Sequence, residues 1–196
     1  MTTLVIDTPE AMEALGGRLA RQLGAGDLVL LNGDLGAGKT TLARGLGAEL
    51  GVRGTVTSPT FVLARTHPRA DGVPLVHVDA YRLHSALELD DLDIDYDRSI
   101  VVVEWGAGLL DGITENWLEV DIVRPTGGPA AMPETVTTPV TVTSPVTVTS
   151  PETVTTPVTV TASIGEPLDG PEPRLVAFTG HGDRWHDLGW VGAALD

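Results

Sequence analysis

Apolar residues come in short blocks along this chain, and the spacing within each block predicts an element. Leu4 to Ile6 is a brief apolar run, read as a first strand. Thr8 and Pro9 follow as an N-cap and a proline at the first helical position. Met12, Leu15, Leu19 and Leu23 then recur at helical spacing until Gly24 stops them. Leu28 to Leu31 is continuously apolar, as expected of a strand buried on both faces. Gly33 to Gly38 breaks that strand. Thr40 to Leu50 returns to helical spacing, with Leu42, Leu46 and Leu50 on one face and Gly51 past the end. Gly45 and Gly47 weaken this helix, so packing has to hold it.

Further along, Thr60 to Ala64 and Leu75 to Val78 read as strands separated by the turn-rich stretch HPRADG, which predicts a hairpin. Leu87 to Asp97 is acidic and reads as a short helix plus loop. Ile100 to Val103 is another buried-strand signal, Trp117 to Val123 alternates like a half-exposed strand, and Arg174 to Thr179 is the last. Strands alternating with helices around a glycine-rich turn predict an α/β fold in three layers, with a mixed, largely parallel sheet. One domain over 1–196 is expected, interrupted at 125–173. There, from Pro133, the units PETVTT, PVTVTS, PVTVTS, PETVTT and PVTVTA repeat a six-residue period. Each alternates Val with Thr, which favours extended chain, and each carries a proline, which removes a ladder donor. Without Leu, Ile or an aromatic residue between Glu134 and Ala162 there is little to build a β-helix core. The insert before the last strand therefore reads as a disordered or extended spacer, with a protruding β-arm as the alternative.

Composition narrows the partners. The net charge of −15 repels nucleic acid, so neither DNA nor RNA is expected as a direct ligand, and any link to nucleic acid should run through other proteins. The absence of cysteine excludes disulfides and thiolate metal sites. The start has neither a basic n-region nor an apolar h-region, and no run approaches the length of a membrane span, so a cytoplasmic protein without a membrane partner is expected.

The chemistry centres on GDLGAGKT, Gly33 to Thr40, which fits G-x-x-x-x-G-K-[ST] between an entering strand and a leaving helix. Glycines let successive backbone N–H groups turn inward on phosphate oxygens, and the helix adds its N-terminal dipole. Lys39, the only lysine among 196 residues, brings a compact charge to the β- and γ-phosphates. The Thr40 hydroxyl suits Mg²⁺. The nucleotide-binding set is Gly33, Asp34, Leu35, Gly36, Ala37, Gly38, Lys39, Thr40 and Thr41, with a nucleoside triphosphate and Mg²⁺ as the expected cofactors. Two strands end in an acid, LVHVD in Asp79 and IVVVE in Glu104. Chemistry in open α/β sheets gathers at such carboxyl ends. Either acid can serve the metal while the other orients the nucleophile. VTSPTF, Val56 to Phe61, reads either as a γ-phosphate-sensing loop or as simple turn chemistry. His77 reads as structural. Asp90, Asp91, Asp93, Asp95 and Asp97 read as a solvated face or docking surface. His181 and His186 have no cysteine nearby to complete a metal site.

Taken in order, GDLGAGKTT, SPTF (Ser58 to Phe61), HVDAYRL (His77 to Leu83) and VVEWG (Val102 to Gly106) resemble the bacterial tRNA threonylcarbamoyladenosine biosynthesis ATPases, the TsaE or YjeE family. The resemblance covers about residues 4–123 and resumes at Arg174 to Gly180. It implies a P-loop ATPase working with TsaB and TsaD on the adenosine beside the anticodon of ANN-reading tRNAs, with tRNA met only through the complex. By position, it implies that Lys39 binds phosphate and that Thr40 and Glu104 ligate Mg²⁺. It further implies that Asp79 assists metal or water, that Thr60 acts as a switch residue, that Trp105 packs beside the site, and that Thr8 borders the nucleotide's base side. The repeat insert departs from the family pattern. Two other function classes stay open from the residues alone. One is a P-loop phosphotransferase acting on a small metabolite, although no arginine-rich lid is seen; the other is a nucleotide-gated binding module with negligible turnover.

Overall fold

The computed structural model describes residues 2–59, 62–110, 112–124 and 172–192; the repeat insert lies outside them. Seven strands form one sheet: β1 Thr2–Ile6, β2 Leu28–Asn32, β3 Ala64–His67, β4 Leu75–Asp79, β5 Ile100–Glu104, β6 Trp117–Val123 and β7 Arg174–His181. Their order is β1-β7-β6-β2-β5-β4-β3. The central pairs β6–β2, β2–β5 and β5–β4 are parallel. β3 folds back on β4 as the expected hairpin, and β7 runs against both β6 and β1. The strands β1, β2, β4, β5 and β6 thus share one direction, which makes the sheet mixed and largely parallel.

The all-apolar runs occupy the middle. β4 and β5 are buried at every position and β2 at all but Asn32. One sheet face packs under two helices, α1 (Pro9–Ala20) and α2 (Lys39–Glu49), through Leu15, Leu19, Leu42, Leu46, Val29, Leu31 and Phe178. The other face, over β2, β5 and β4, is covered by a third helix, α3 (Ala86–Asp90), and by flanking loops through Leu89 and Leu110. These layers make the chain a three-layer α/β protein with a mixed, largely parallel sheet.

The glycines of α2 have a packing reason. A Cβ on Gly45 would stand 2.0 Å from the Glu13 carbonyl oxygen, and one on Gly16 would stand 2.1 Å from that of Leu42. The two helices therefore cross backbone to backbone, and α2 tolerates the lower helix propensity of glycine because α1 needs the room.

Several boundaries differ from the sequence reading. α1 stops at Ala20; residues up to Leu23 continue as a tighter turn, with the Gln22 and Leu23 N–H groups donating to Leu19 and Ala20. Of the strand expected over Thr60 to Ala64, Thr60 and Phe61 lie outside the described residues, and β3 begins at Ala64. The Val62 and Leu63 N–H groups both donate to the Pro59 carbonyl, and Leu63 takes a left-handed φ of 63°, so these two apolar residues form a turn and not a strand. The acidic stretch divides into α3 and a 3-10 turn, Tyr96–Arg98, and all five of its aspartates are exposed. Among the described residues no helix is long and apolar enough to cross a membrane.

Candidate functional site

Parallel pairing brings the carboxyl ends of β2, β5 and β4 to one edge. Glu104 lies opposite Leu31 of β2 and opposite Asp79 of β4. The loop leaving β2 arches over this edge and enters α2 at Gly38, whose φ of 118° no L-residue adopts without strain. No side chain caps α2. Its N-terminal N–H groups and positive dipole end face an open cleft of about 680 Å³, lined among others by Gly38, Lys39, Thr40, Asp79, Glu104 and Trp105. Gly33, at φ 137°, lets the loop pass close beneath β6, where a Cβ would meet the Ile122 carbonyl oxygen at 2.3 Å.

Lys39 is 4% exposed. Its Nζ donates to the carbonyl oxygens of Gly33 at 2.6 Å and Asp34 at 3.1 Å, and it stands 3.5 Å from the centroid of the Trp105 ring. Burial lowers its pKa from the ordinary lysine value, and the carboxylates of Glu104, Asp79 and Asp34 act in the opposite sense. Trp105 is held over it by an unusual backbone: φ is 64°, and the Trp105 N–H donates to Leu31, so the chain turns sharply after Glu104.

The Thr40 hydroxyl donates to Glu104 Oε1 at 3.1 Å. A hydroxyl and a carboxylate side by side are hard oxygen donors of the kind Mg²⁺ takes while keeping most of its water. Asp79, 3% exposed, accepts from the Ser58 hydroxyl at 3.4 Å and from the Tyr81 N–H at 3.4 Å. The residue types and their spacing thus fit a magnesium nucleotide.

On the other side of the loop a smaller cleft of about 270 Å³ is lined by Thr8, Pro9, Met12, Gly36, Ala37, Gly38, Thr41 and Arg174, among others. Thr41 lines both clefts. Thr8 caps α1, its Oγ1 accepting from the Ala11 N–H at 3.1 Å. Within the loop, Asp34, Leu35 and Gly36 are exposed and Ala37 is buried. The structure therefore gathers Gly33 to Thr41, Asp79, Glu104 and Trp105 at one edge, with Thr8 across the loop. Thr60 lies outside the described residues.

The family model described as "Threonylcarbamoyl adenosine biosynthesis protein TsaE" matches residues 6–128. The chain belongs to the TsaE family. Similar proteins include three named "tRNA threonylcarbamoyladenosine biosynthesis protein TsaE". That of Streptomyces coelicolor is 60% identical over 123 residues, 61% of this chain and 83% of that one. That of Mycobacterium tuberculosis is 49% identical over 132 residues, 62% and 79% of the two chains. That of Bacillus subtilis is 36% identical over 120 residues, 59% and 73%. The crystal structure of Bacillus subtilis YdiB shares the fold, with a TM-score of 0.59 at 23% identity, over 94% of this chain and 88% of that one.

Two features of this TsaE-family site were not assigned from sequence. His77, read as merely structural, places Nε2 2.9 Å from Glu104 Oε1. Arg174, at the start of β7, donates from Nε to the Ala37 carbonyl oxygen at 3.2 Å, so the last strand braces the loop. A polar residue inside an otherwise apolar strand is the one sequence signal that pointed to His77. Arg174 lies 137 residues from Ala37, and no local pattern announces that contact. His181 and His186 have protein partners: Glu119 Oε2 lies 2.8 Å from His181 Nε2, and the Asp183 carbonyl oxygen lies 2.6 Å from His186 Nδ1. Among the described residues no group of three or more His, Cys, Asp or Glu side chains is arranged to hold a metal.

Proposed function

We propose that this chain is a Mg²⁺-dependent ATPase serving threonylcarbamoyladenosine modification of the adenosine next to the anticodon in ANN-reading tRNAs, in the cytoplasm, together with TsaB and TsaD. The observation that carries this reading is one edge of the sheet. An uncapped helix N-terminus, the lone lysine, a hydroxyl–carboxylate pair at 3.1 Å and a second buried carboxylate all face a single cleft.

In this reading, the loop N–H groups and the α2 terminus bind the phosphates. Lys39 moves from the Gly33 and Asp34 carbonyls to phosphate oxygens. Thr40 and Glu104 hold Mg²⁺, which supplies charge neutralisation on the phosphate oxygens. Asp79 positions the attacking water at the cleft floor and accepts its proton as the water oxygen bonds to the γ-phosphorus, while the bond from that phosphorus to the β–γ bridging oxygen breaks and ADP leaves. Trp105 and Tyr81 shield the mouth from bulk water. The acidic surface leaves tRNA to the partners.

The test is ATP hydrolysis with and without TsaB and TsaD, on the wild type and on Glu104→Gln and Asp79→Asn. Both variants are expected to retain the nucleotide and to lose ~10²–10³ in partner-stimulated turnover, the usual scale for removing a group placed where charge develops. Wild-type turnover in both variants removes the two acids from the reaction. ADP formation that requires an added small acceptor identifies a phosphotransferase instead.

A further inference from the structure

β4 reads LVHVD and is buried throughout, so a histidine in its middle has to answer for its two ring nitrogens. His77 is 0% exposed. In the β4–β5 register it lies opposite Val102, two residues before Glu104, and both side chains face the α2 layer. His77 Nε2 stands 2.9 Å from Glu104 Oε1. A carboxylate only accepts, so the hydrogen sits on Nε2 and is donated.

Glu104 Oε1 thus lies between two donors, the His77 ring on the neighbouring strand and the Thr40 hydroxyl at 3.1 Å on α2. The other ring nitrogen, Nδ1, is buried without a hydrogen-bond partner. Leaving such a group unsatisfied is unfavourable, and a leucine would suit the surrounding Leu75, Ile100 and Val102 better. Core packing therefore does not explain a histidine here. Its one productive contact is with the carboxylate.

We propose that His77 is a positioning residue. Its Nε2–H pins Glu104 Oε1 so that the carboxylate already faces the Thr40 hydroxyl, presetting the oxygen pair for a divalent cation. This rests on the magnesium–nucleotide reading of the cleft. The pinning matters most when the Thr40 hydroxyl turns to the cation, because His77 is then the donor that still orients Oε1. The arrangement has the form of an outer-shell contact, in which a group beyond the ligand fixes its orientation.

The test uses the full chain and a non-hydrolysable ATP analogue. MgCl₂ is titrated into the protein–analogue mixture, with intrinsic tryptophan fluorescence as the readout, and analogue affinity is measured separately in EDTA. His77→Leu is expected to melt at or near the wild-type temperature and to bind the analogue normally in EDTA. Its half-saturating Mg²⁺ is expected to rise ~10–100-fold, the range typical of lost outer-shell partners. His77→Gln, whose side-chain amide can reach the same carboxylate oxygen, should return to within ~3-fold of wild type by that same logic. If the leucine variant fails to fold, His77→Asn against His77→Gln makes the comparison, since asparagine is too short to reach Glu104. An unchanged Mg²⁺ requirement in the donor-less variant overturns the proposal. So does a loss of EDTA affinity as large as the Mg²⁺ effect, which marks a purely structural role, or a glutamine variant no better than leucine. A wild type whose analogue binding ignores Mg²⁺ sinks the underlying reading of the cleft itself, a distinguishable failure.

Discussion

Replacing Lys39 by methionine removes the one lysine charge while keeping an unbranched stem beneath Trp105. In the free protein, Nζ is held by two carbonyl oxygens at 2.6 and 3.1 Å and by the Trp105 ring at 3.5 Å. A phosphate charge about 4 Å from Nζ attracts it by about 4 kcal/mol at an effective dielectric constant near 20. Against that stands release from the resting partners. Two charged hydrogen bonds and a cation–π contact are worth several kcal/mol together, but the phosphate oxygens replace the hydrogen bonds nearly one for one. The net loss on substitution is then about 2 kcal/mol, which is roughly 30-fold in affinity. Isothermal titration with a non-hydrolysable ATP analogue at saturating Mg²⁺ reads this directly, with circular dichroism as the check on folding. A well-folded Lys39→Met protein within threefold of wild-type affinity refutes the assignment of the phosphate cradle to this loop.

Two further outcomes test the scaffold. Gly45→Ala should lower the melting temperature by roughly 5 °C or more in a thermal melt. The added Cβ meets the Glu13 carbonyl oxygen at 2.0 Å, and overpacking of about 1–3 kcal/mol or more against fixed backbone exceeds the gain of up to ~1 kcal/mol in helix propensity; an equal or higher melting temperature contradicts the close helix crossing. Tyr96, whose hydroxyl is buried without a partner, has its pKa pushed up to about 12, by burial first and by the Asp90 carboxylate second. The folded state then keeps a proton that the unfolded chain releases above its ordinary 10, so stability present below pH 10 is lost as pH rises from 10 towards 12. Tyr96→Phe should flatten that alkaline decline in denaturant midpoints, and an unchanged slope removes Tyr96 as its source.

Much of the fold could be read because the buried strands announce themselves. LVLL and IVVV are apolar at every position and LVHV at all but His77, as suits strands covered on both faces, and the acid that follows each of the last two falls where parallel pairing aligns carboxyl ends. Glu104 and Asp79 were legible for that reason. The turn at Val62 and Leu63 was not, because both residues suit a strand while Leu63 adopts a left-handed conformation that depends on tertiary context: the Asp79 N–H donates to its carbonyl oxygen at 2.7 Å. The His77–Glu104 contact depends on register across a crossover of 27 residues, and the resting place of Lys39 depends on the backbone that carries Trp105. Local periodicity contains neither.

The charges around the cleft set a sign that separates binding from chemistry. Lys39 is surrounded by the carboxylates of Glu104, Asp79 and Asp34 in a chain of net charge −15, so free ATP meets repulsion, which the loop amides, the helix terminus and Lys39 oppose. A carboxylate about 6 Å from a phosphate charge repels it by roughly 3 kcal/mol at an effective dielectric constant near 20. Removing that charge with Asp79→Asn or Glu104→Gln should therefore tighten nucleotide binding in EDTA, by up to about tenfold once solvent screening is allowed for. In Mg²⁺ the two variants should part. Glu104→Gln replaces an anionic oxygen beside Thr40 by a neutral amide and should need more Mg²⁺ to reach saturation. Asp79→Asn, which does not touch that pair, should keep the wild-type Mg²⁺ requirement while still failing to turn over. Fluorescence titrations of the three proteins with and without EDTA give all four comparisons. If both variants bind more weakly in EDTA, the carboxylates support the nucleotide rather than repel it. If Asp79→Asn shows the larger Mg²⁺ requirement, the metal belongs to Asp79 and the roles of the two acids are exchanged.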